Sequence, residues 1–254
     1  QQAEPLYQRF GDEIDKVDVR YNIATLYISL RRYDLAISML KQVIINRTAL
    51  EDEYGVAQAS ADLGVAYKYS GEYQQAKEYN LEALHYFQKH NKQYDIANQL
   101  HNVAEIYYEL EKLGTALIYA AKCMELSKEI GHQKAYVGSL HTLAKVSFYQ
   151  GAIEQADNYI NQSNRVAEKM GYQGALNENL ALQMLIFAAE GKTAQALMTQ
   201  QSYQKLRLKQ ANETLNEQLA RFESDQLSQQ VEHLQQSKKL QQLQTTKTEQ
   251  LRSF

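Results

Sequence analysis

The chain has a single cysteine, Cys123, a single proline, Pro5, and no tryptophan. One cysteine excludes an intrachain disulfide, so nothing in the covalent chemistry assigns an oxidising or a reducing compartment. Cys123 sits in an apolar helical pattern beside Met124 and Leu126 and is expected to be a buried small hydrophobe rather than a reactive thiol. The near absence of proline removes the usual helix breaker. No run of 18 apolar residues occurs, so no segment is read as crossing a membrane. Basic excess is also missing. The net charge of -3 argues against a general polyanion binder, and no nucleic-acid partner is expected. Neither H-E-x-x-H, G-x-G-x-x-G nor a Walker loop appears. The six histidines do not fall at metal-ligand spacing, so no metal, no cofactor and no catalytic residue is assigned. The acidic residues are scattered and read as solvated faces.

What the sequence does have is tyrosine, 19 of them, and a beat. Alanine recurs every 40 residues, at Ala36, Ala76, Ala116, Ala156 and Ala196. A second column of small residues runs Ala24, Gly64, Ala104 and Ala144, and closes on Met184. An aromatic column follows three residues later at Tyr27, Tyr67 and Tyr107, with Ser147 and Phe187 completing it. Several columns at one period make a true repeat. Each unit reads as helix, tight turn, helix and short linker. The turns fall at Arg31-Arg32, Ser70-Gly71-Glu72, Glu111-Lys112, Gly151 and Gly191. The two small columns are expected to face each other across each hairpin and let its helices approach closely. The period leaves room for long helices, running through Lys128-Glu129-Ile130 and Glu168-Lys169-Met170.

The expected organisation has three parts. Residues 1–16 carry Leu6, Phe10 and Ile14 at helical spacing, and Gly11 stands in the column of Gly131 and Gly171. They are either the end of a truncated repeat or a single N-terminal helix. Residues 17–202 form five helical hairpins. From Lys192 to Phe254 there is neither glycine nor proline, and residues 203–254 become polar and rich in glutamine. Leu215, Leu219 and Phe222, then Leu227, Val231 and Leu234, show the 4,3 spacing of a coiled-coil seam, with a slip of phase between the two runs. A dimeric coiled coil, a long helix awaiting a partner and a frayed tail are the three readings of this segment.

The columns of residues 14–202 resemble a tetratricopeptide repeat array. The second repeat carries the pattern most completely, as Leu63-Gly64, Tyr67, Gly71, Tyr73, Ala76 and Ala83. The helix-ending proline of that family is missing and the period is longer, as in extended variants from bacterial regulators and motor light chains. The resemblance implies an all-α fold: a right-handed superhelix of hairpins followed by a long C-terminal helix or coiled coil. The tail from Leu219 through Gln235 resembles the segment that follows exported repeat arrays in bacterial membrane-bound sensors of the diguanylate cyclase or histidine kinase type. On that resemblance the chain is a non-catalytic signal-sensing and protein- or peptide-binding region, periplasmic and tethered in its parent, homodimeric through the C-terminal helix. Two alternatives stand beside it: a scaffold or adaptor, and an intracellular peptide-responsive regulator, either of them cytoplasmic.

The first helices of such arrays line a concave groove. By analogy the exposed groove positions are Tyr21, Lys68, Tyr69, Asn98, His101, Tyr108, His141, Lys145 and Tyr149. Tyrosines beside amide, imidazole and ammonium groups suit an extended peptide or protein tail. His101 and His141 lie one repeat apart and are expected on neighbouring first helices, as polar residues on the concave wall.

Overall fold

The structure is a computed structural model that describes residues 13–209 and 211–212. Every regular element among them is helical. Four complete hairpins run in order: α1 (Glu13–Ser29) with α2 (Tyr33–Ala49), α3 (Glu53–Ser70) with α4 (Tyr73–Lys89), α5 (Gln93–Glu109) with α6 (Leu113–Ile130), and α7 (Gln133–Tyr149) with α8 (Ile153–Met170). A fifth opens with α9 (Gln173–Ala189), and the chain is helical again over 193–209, here α10. The first helices of the five units begin at Glu13, Glu53, Gln93, Gln133 and Gln173. The chain divides into two compact units, 1–199 and 200–254. The expected helix of residues 1–16 lies outside the described residues up to residue 12, and so does the expected coiled-coil seam from Leu215 to Leu234. Among the described residues no helix is long and apolar enough to cross a membrane.

Helix termini explain the even beat. A left-handed residue stands at every turn and every linker: Arg31, Gly71, Glu111, Gly151 and Gly191 within hairpins, and Glu51, Asn91, Gly131 and Gly171 between them. Such a residue lets the next backbone N–H groups fold back onto the last carbonyls, which ends a helix without proline. Gly71, at φ 87°, shows the device: its own N–H reaches Lys68 O and the following Glu72 N–H reaches Tyr67 O.

The small columns position everything else. Ala24, Ala104 and Ala144 of the first helices, and Ala36, Ala76, Ala116 and Ala156 of the second, are sealed from solvent, and Gly64 is buried with them. Beside them the aromatic column stacks across the hairpins. Tyr67 lies on Tyr79 at 5.7 Å between ring centroids and Tyr107 on Tyr119 at 5.5 Å, both nearly parallel. Cys123 is buried, its thiol donating to Ala97 O at 3.2 Å, and burial pushes its pKa up to about 11. The pattern loosens at the end, where Met184 and Ala196 are only half-buried. In the 13–199 unit, first helices touch the first helices of the next repeat, whereas none of α2, α4, α6 and α8 touches another of the four. The first helices therefore form the inner wall of the array and the second helices its splayed outer wall.

Gly64 gives this packing a direct test. A Cβ at that position would fall inside the Asn80 amide, and Asn80 is itself held by donating to Ala76 O at 2.8 Å. Asn80 thus occupies the space that a methyl group would take. The third repeat fills the same two positions with Ala104 and Ala120, both fully buried. Gly64→Ala alone should lower the unfolding free energy by about 2 kcal/mol through overpacking. Adding Asn80→Ala should recover most of that loss. Urea denaturation of the two single variants and the double variant checks it, and additive losses would contradict the shared-space account.

Candidate functional site

The inner wall carries charge where a wall of packed helices ordinarily excludes it. Lys68, near the end of α3, has a side chain only 8% exposed, and its ammonium pairs with Glu105 Oε2 on α5 at 2.5 Å. Lys68 therefore is not an open groove residue as expected; the neighbouring repeat covers it. Burial alone would lower its pKa, but Glu105 reverses this and holds it above the ordinary lysine value. Burial alone would likewise raise Glu105, but Lys68 and then His101 hold it far below the usual carboxylate range. Nor is Glu105 a solvated surface acid, as the scatter of acidic residues suggested. It is the anion that joins two repeats, and it stays ionised.

His101 stands one turn before Glu105, its Nε2 3.5 Å from the same Oε2. Its ring lies against Gly138 of α7, where a Cβ would come within 2.5 Å of the imidazole. A glycine inside a helix weakens it, so its presence marks a close approach, and this one makes room for the ring. His141 is held differently: its Nδ1 is 2.8 Å from Asn179 Oδ1 on α9. Burial lowers the pKa of both imidazoles, that of His141 to about 4. Both rings are neutral at neutral pH, in line with two polar residues on one wall. Among the described residues no group of three or more His, Cys, Asp or Glu is placed to hold a metal ion.

The expected residues fall at four places. Asn98, His101 and His141 line one pocket of about 220 Å³, which Glu105, Gly138, Tyr172 and Glu178 complete. Farther along the wall, the Lys145 ammonium stands 3.8 Å over the Tyr108 ring and 3.3 Å from Glu109 Oε1. Tyr149, 66% exposed, lies on the same helix one turn on. Tyr69 is 57% exposed, stacked on Tyr33 at 5.7 Å with the Lys68 ammonium 4.7 Å from its ring. Tyr21 is half-buried and lines a second pocket of about 230 Å³, which Asn98 and His101 also line. Its hydroxyl donates to Asp62 Oδ2 at 2.6 Å and the Arg47 guanidinium covers its ring at 4.6 Å, so it joins the first two repeats.

Glu105, Gly138, Glu178 and Asn179 were missed by sequence reasoning. Gly138 carried a usable signal, as a helix-interior glycine 37 residues after His101. Glu105 carried a weaker one, standing four residues after His101 and forty before Lys145.

The fold is thus an α-solenoid of helical hairpins with a polar inner wall, of the tetratricopeptide type. Residues 15–89, the first two hairpins, match the tetratricopeptide repeat family model. No curated protein sequence matches the chain. Among solved structures, the apo form of RapI is similar at 21% identity and a TM-score of 0.70, over 81% of this chain and 74% of that one. The Rap conjugation gene regulator of the plasmid pLS20, in complex with the Phr* peptide, is similar at 15% identity and a TM-score of 0.69, over 78% of this chain and 55% of that one. BtubC (BKLC) from P. vanneervenii is similar at 15% identity and a TM-score of 0.64, over 82% and 86%.

Proposed function

We propose that the chain is a non-catalytic, peptide-responsive regulator that holds an extended peptide or protein tail along the inner wall of α3, α5, α7 and α9. The observation that carries this reading is the wall itself. Fixed ion pairs stand among half-open polar groups and exposed tyrosines at Tyr69 and Tyr149, and the 220 Å³ pocket lined by α5, α7 and α9 is of a size for one side chain rather than a cofactor. Rigid aromatics beside amides and ammonium groups bind extended chains at low entropic cost. The similarity in fold to a Rap regulator solved with a bound peptide supports a regulator of this kind over a membrane-tethered sensor region.

The test is selection of random unstructured peptides on the full chain, followed by affinity measurement on variants. Selected peptides should lose about tenfold or more in affinity when Tyr149 and Lys145 are both replaced by alanine, since aromatic and ammonium anchors at a groove carry about 1–2 kcal/mol each. Helicity by circular dichroism should not change. Failure to select any peptide, or equal affinity for the doubly substituted chain, would overturn the reading.

A further inference from the structure

The hydrogen-bonding polarity of the inner-wall pocket follows from the residues behind it. Asn179 Nδ2 donates to Ser163 Oγ at 2.8 Å and to Asn164 Oδ1 at 2.9 Å. Asn164 presents that oxygen because its own Nδ2 is turned to Gln183 Oε1 at 3.4 Å. With both its amide hydrogens engaged, Asn179 offers His141 only an oxygen. His141 Nδ1 must therefore carry the hydrogen, and its Nε2 is left as a lone-pair acceptor. On the opposite wall the His101 ring turns Nε2 to Glu105, so its N–H is directed away from an occupant. Glu178 lines the same pocket and has no hydrogen bond or ion pair among the described residues. Ala135, Val137 and Ala175 supply apolar wall, and Tyr172 supplies a ring.

A pocket with apolar and aromatic sides, one unpaired carboxylate and one ring-nitrogen acceptor calls for an occupant with an apolar stem and several N–H donors. We propose that it receives an arginine side chain of the bound peptide, whose guanidinium donates to the Glu178 carboxylate and to His141 Nε2 and lies against Tyr172. The assignment rests on the peptide-binding reading above and specifies what that face selects. Lysine satisfies a single point and cannot span two acceptors with one plane. An acidic side chain would set its charge against Glu178 and find no donor at His141. Among the described residues that line the pocket the cation is Lys134, 5.9 Å from the Tyr172 ring, and it competes with the guanidinium for that ring; Lys68 and Lys145 act on Glu178 from farther along the wall.

The experiment titrates the full chain, with histidine rings labelled with nitrogen-15, against Nα-acetyl-arginine amide and its neutral isostere Nα-acetyl-citrulline amide. The free chain should show His141 as the Nδ1–H tautomer. The arginine derivative should move the His141 Nε2 resonance saturably and bind about tenfold or more tighter than the citrulline derivative, the value of one charge-assisted pair. Glu178→Gln should erase that preference, and Lys134→Ala should strengthen arginine binding. Equal binding of the two derivatives, an unmoved His141 signal or an Nε2–H tautomer in the free chain would overturn the assignment. If peptides still bind through Tyr149 and Lys145 while arginine leaves His141 unmoved, the pocket assignment falls and the peptide-binding reading stands. If the arginine derivative binds as stated and no peptide is selected, the reverse holds.

Discussion

Replacing Glu105 by leucine should cost about 3 kcal/mol of unfolding free energy, the largest single-site effect expected anywhere on the inner wall. The loss does not come from the hydrogen bond alone. Lys68 is buried, and without Glu105 its ammonium keeps the desolvation penalty and loses the anion that offsets it. Breaking a buried pair by removing one partner is more damaging than replacing both, because two apolar side chains leave no uncompensated charge. Lys68→Met combined with Glu105→Leu should therefore be far more stable than the sum of the two single losses. A double-mutant cycle by urea denaturation should return a coupling of about 2 kcal/mol or more between residues 68 and 105. A coupling near zero would mean that the ammonium escapes to solvent when its partner is removed. The pair joins α3 to α5, so its loss should be felt as loosening between repeats and not within one hairpin.

The same pair shows where sequence reading succeeded and where it stopped. The hairpins were legible because close approach of two helices makes a demand that recurs along the array: a small residue on each side, with Met184 the exception, an aromatic beside them, with Ser147 the exception, and a left-handed residue at each turn and linker. Ala36, Ala76, Ala116 and Ala156 answer it identically, so the period appears in the letters. The inner wall makes no recurring demand. The column of Gln58, Asn98, Gly138 and Glu178 holds two amides, a bare backbone and a carboxylate, and each contact there depends on what the next repeat presents. Lys68 looked exposed because its own helix puts it on the groove face; Glu105, on another helix, is what covers it. His101 and His141 share a column and still differ, since Gly138 opens a space for one and Asn179 offers an oxygen to the other. Tyr21 was placed in the groove by position alone, and Arg47 and Asp62 also tie it into the repeat interface.

His141 also sets how the array should respond to acid. Its pKa is depressed, from 6.5 to about 4, first because burial penalises the charged ring and then because Lys145 on the same helix and His101 on α5 repel it; Asn179 on α9 and Glu105 on α5 act in the opposite sense. A histidine depressed in the folded state is protonated first in the unfolded chain. Its contribution to stability is complete above the unfolded value of about 6.5 and is lost as pH falls through about 4. That gap corresponds to a loss on the order of 3 kcal/mol. His101, also lowered by burial, adds to the loss. Asp62 and Glu178, both raised by burial, oppose it, because the folded chain takes up their protons more readily than the unfolded one. Glu105 stays ionised in the folded chain across this window, so the pair with Lys68 persists; the unfolded chain takes up its proton near the ordinary value of 4.5, so Glu105 adds to the loss only at the acid end of the window. Unfolding free energies measured by urea between pH 6.5 and pH 4 should fall steeply for the native chain. They should fall much less for His141→Gln, which can keep the contact with Asn179 and has no proton to gain. An unchanged slope in that variant would place the acid sensitivity elsewhere in the array.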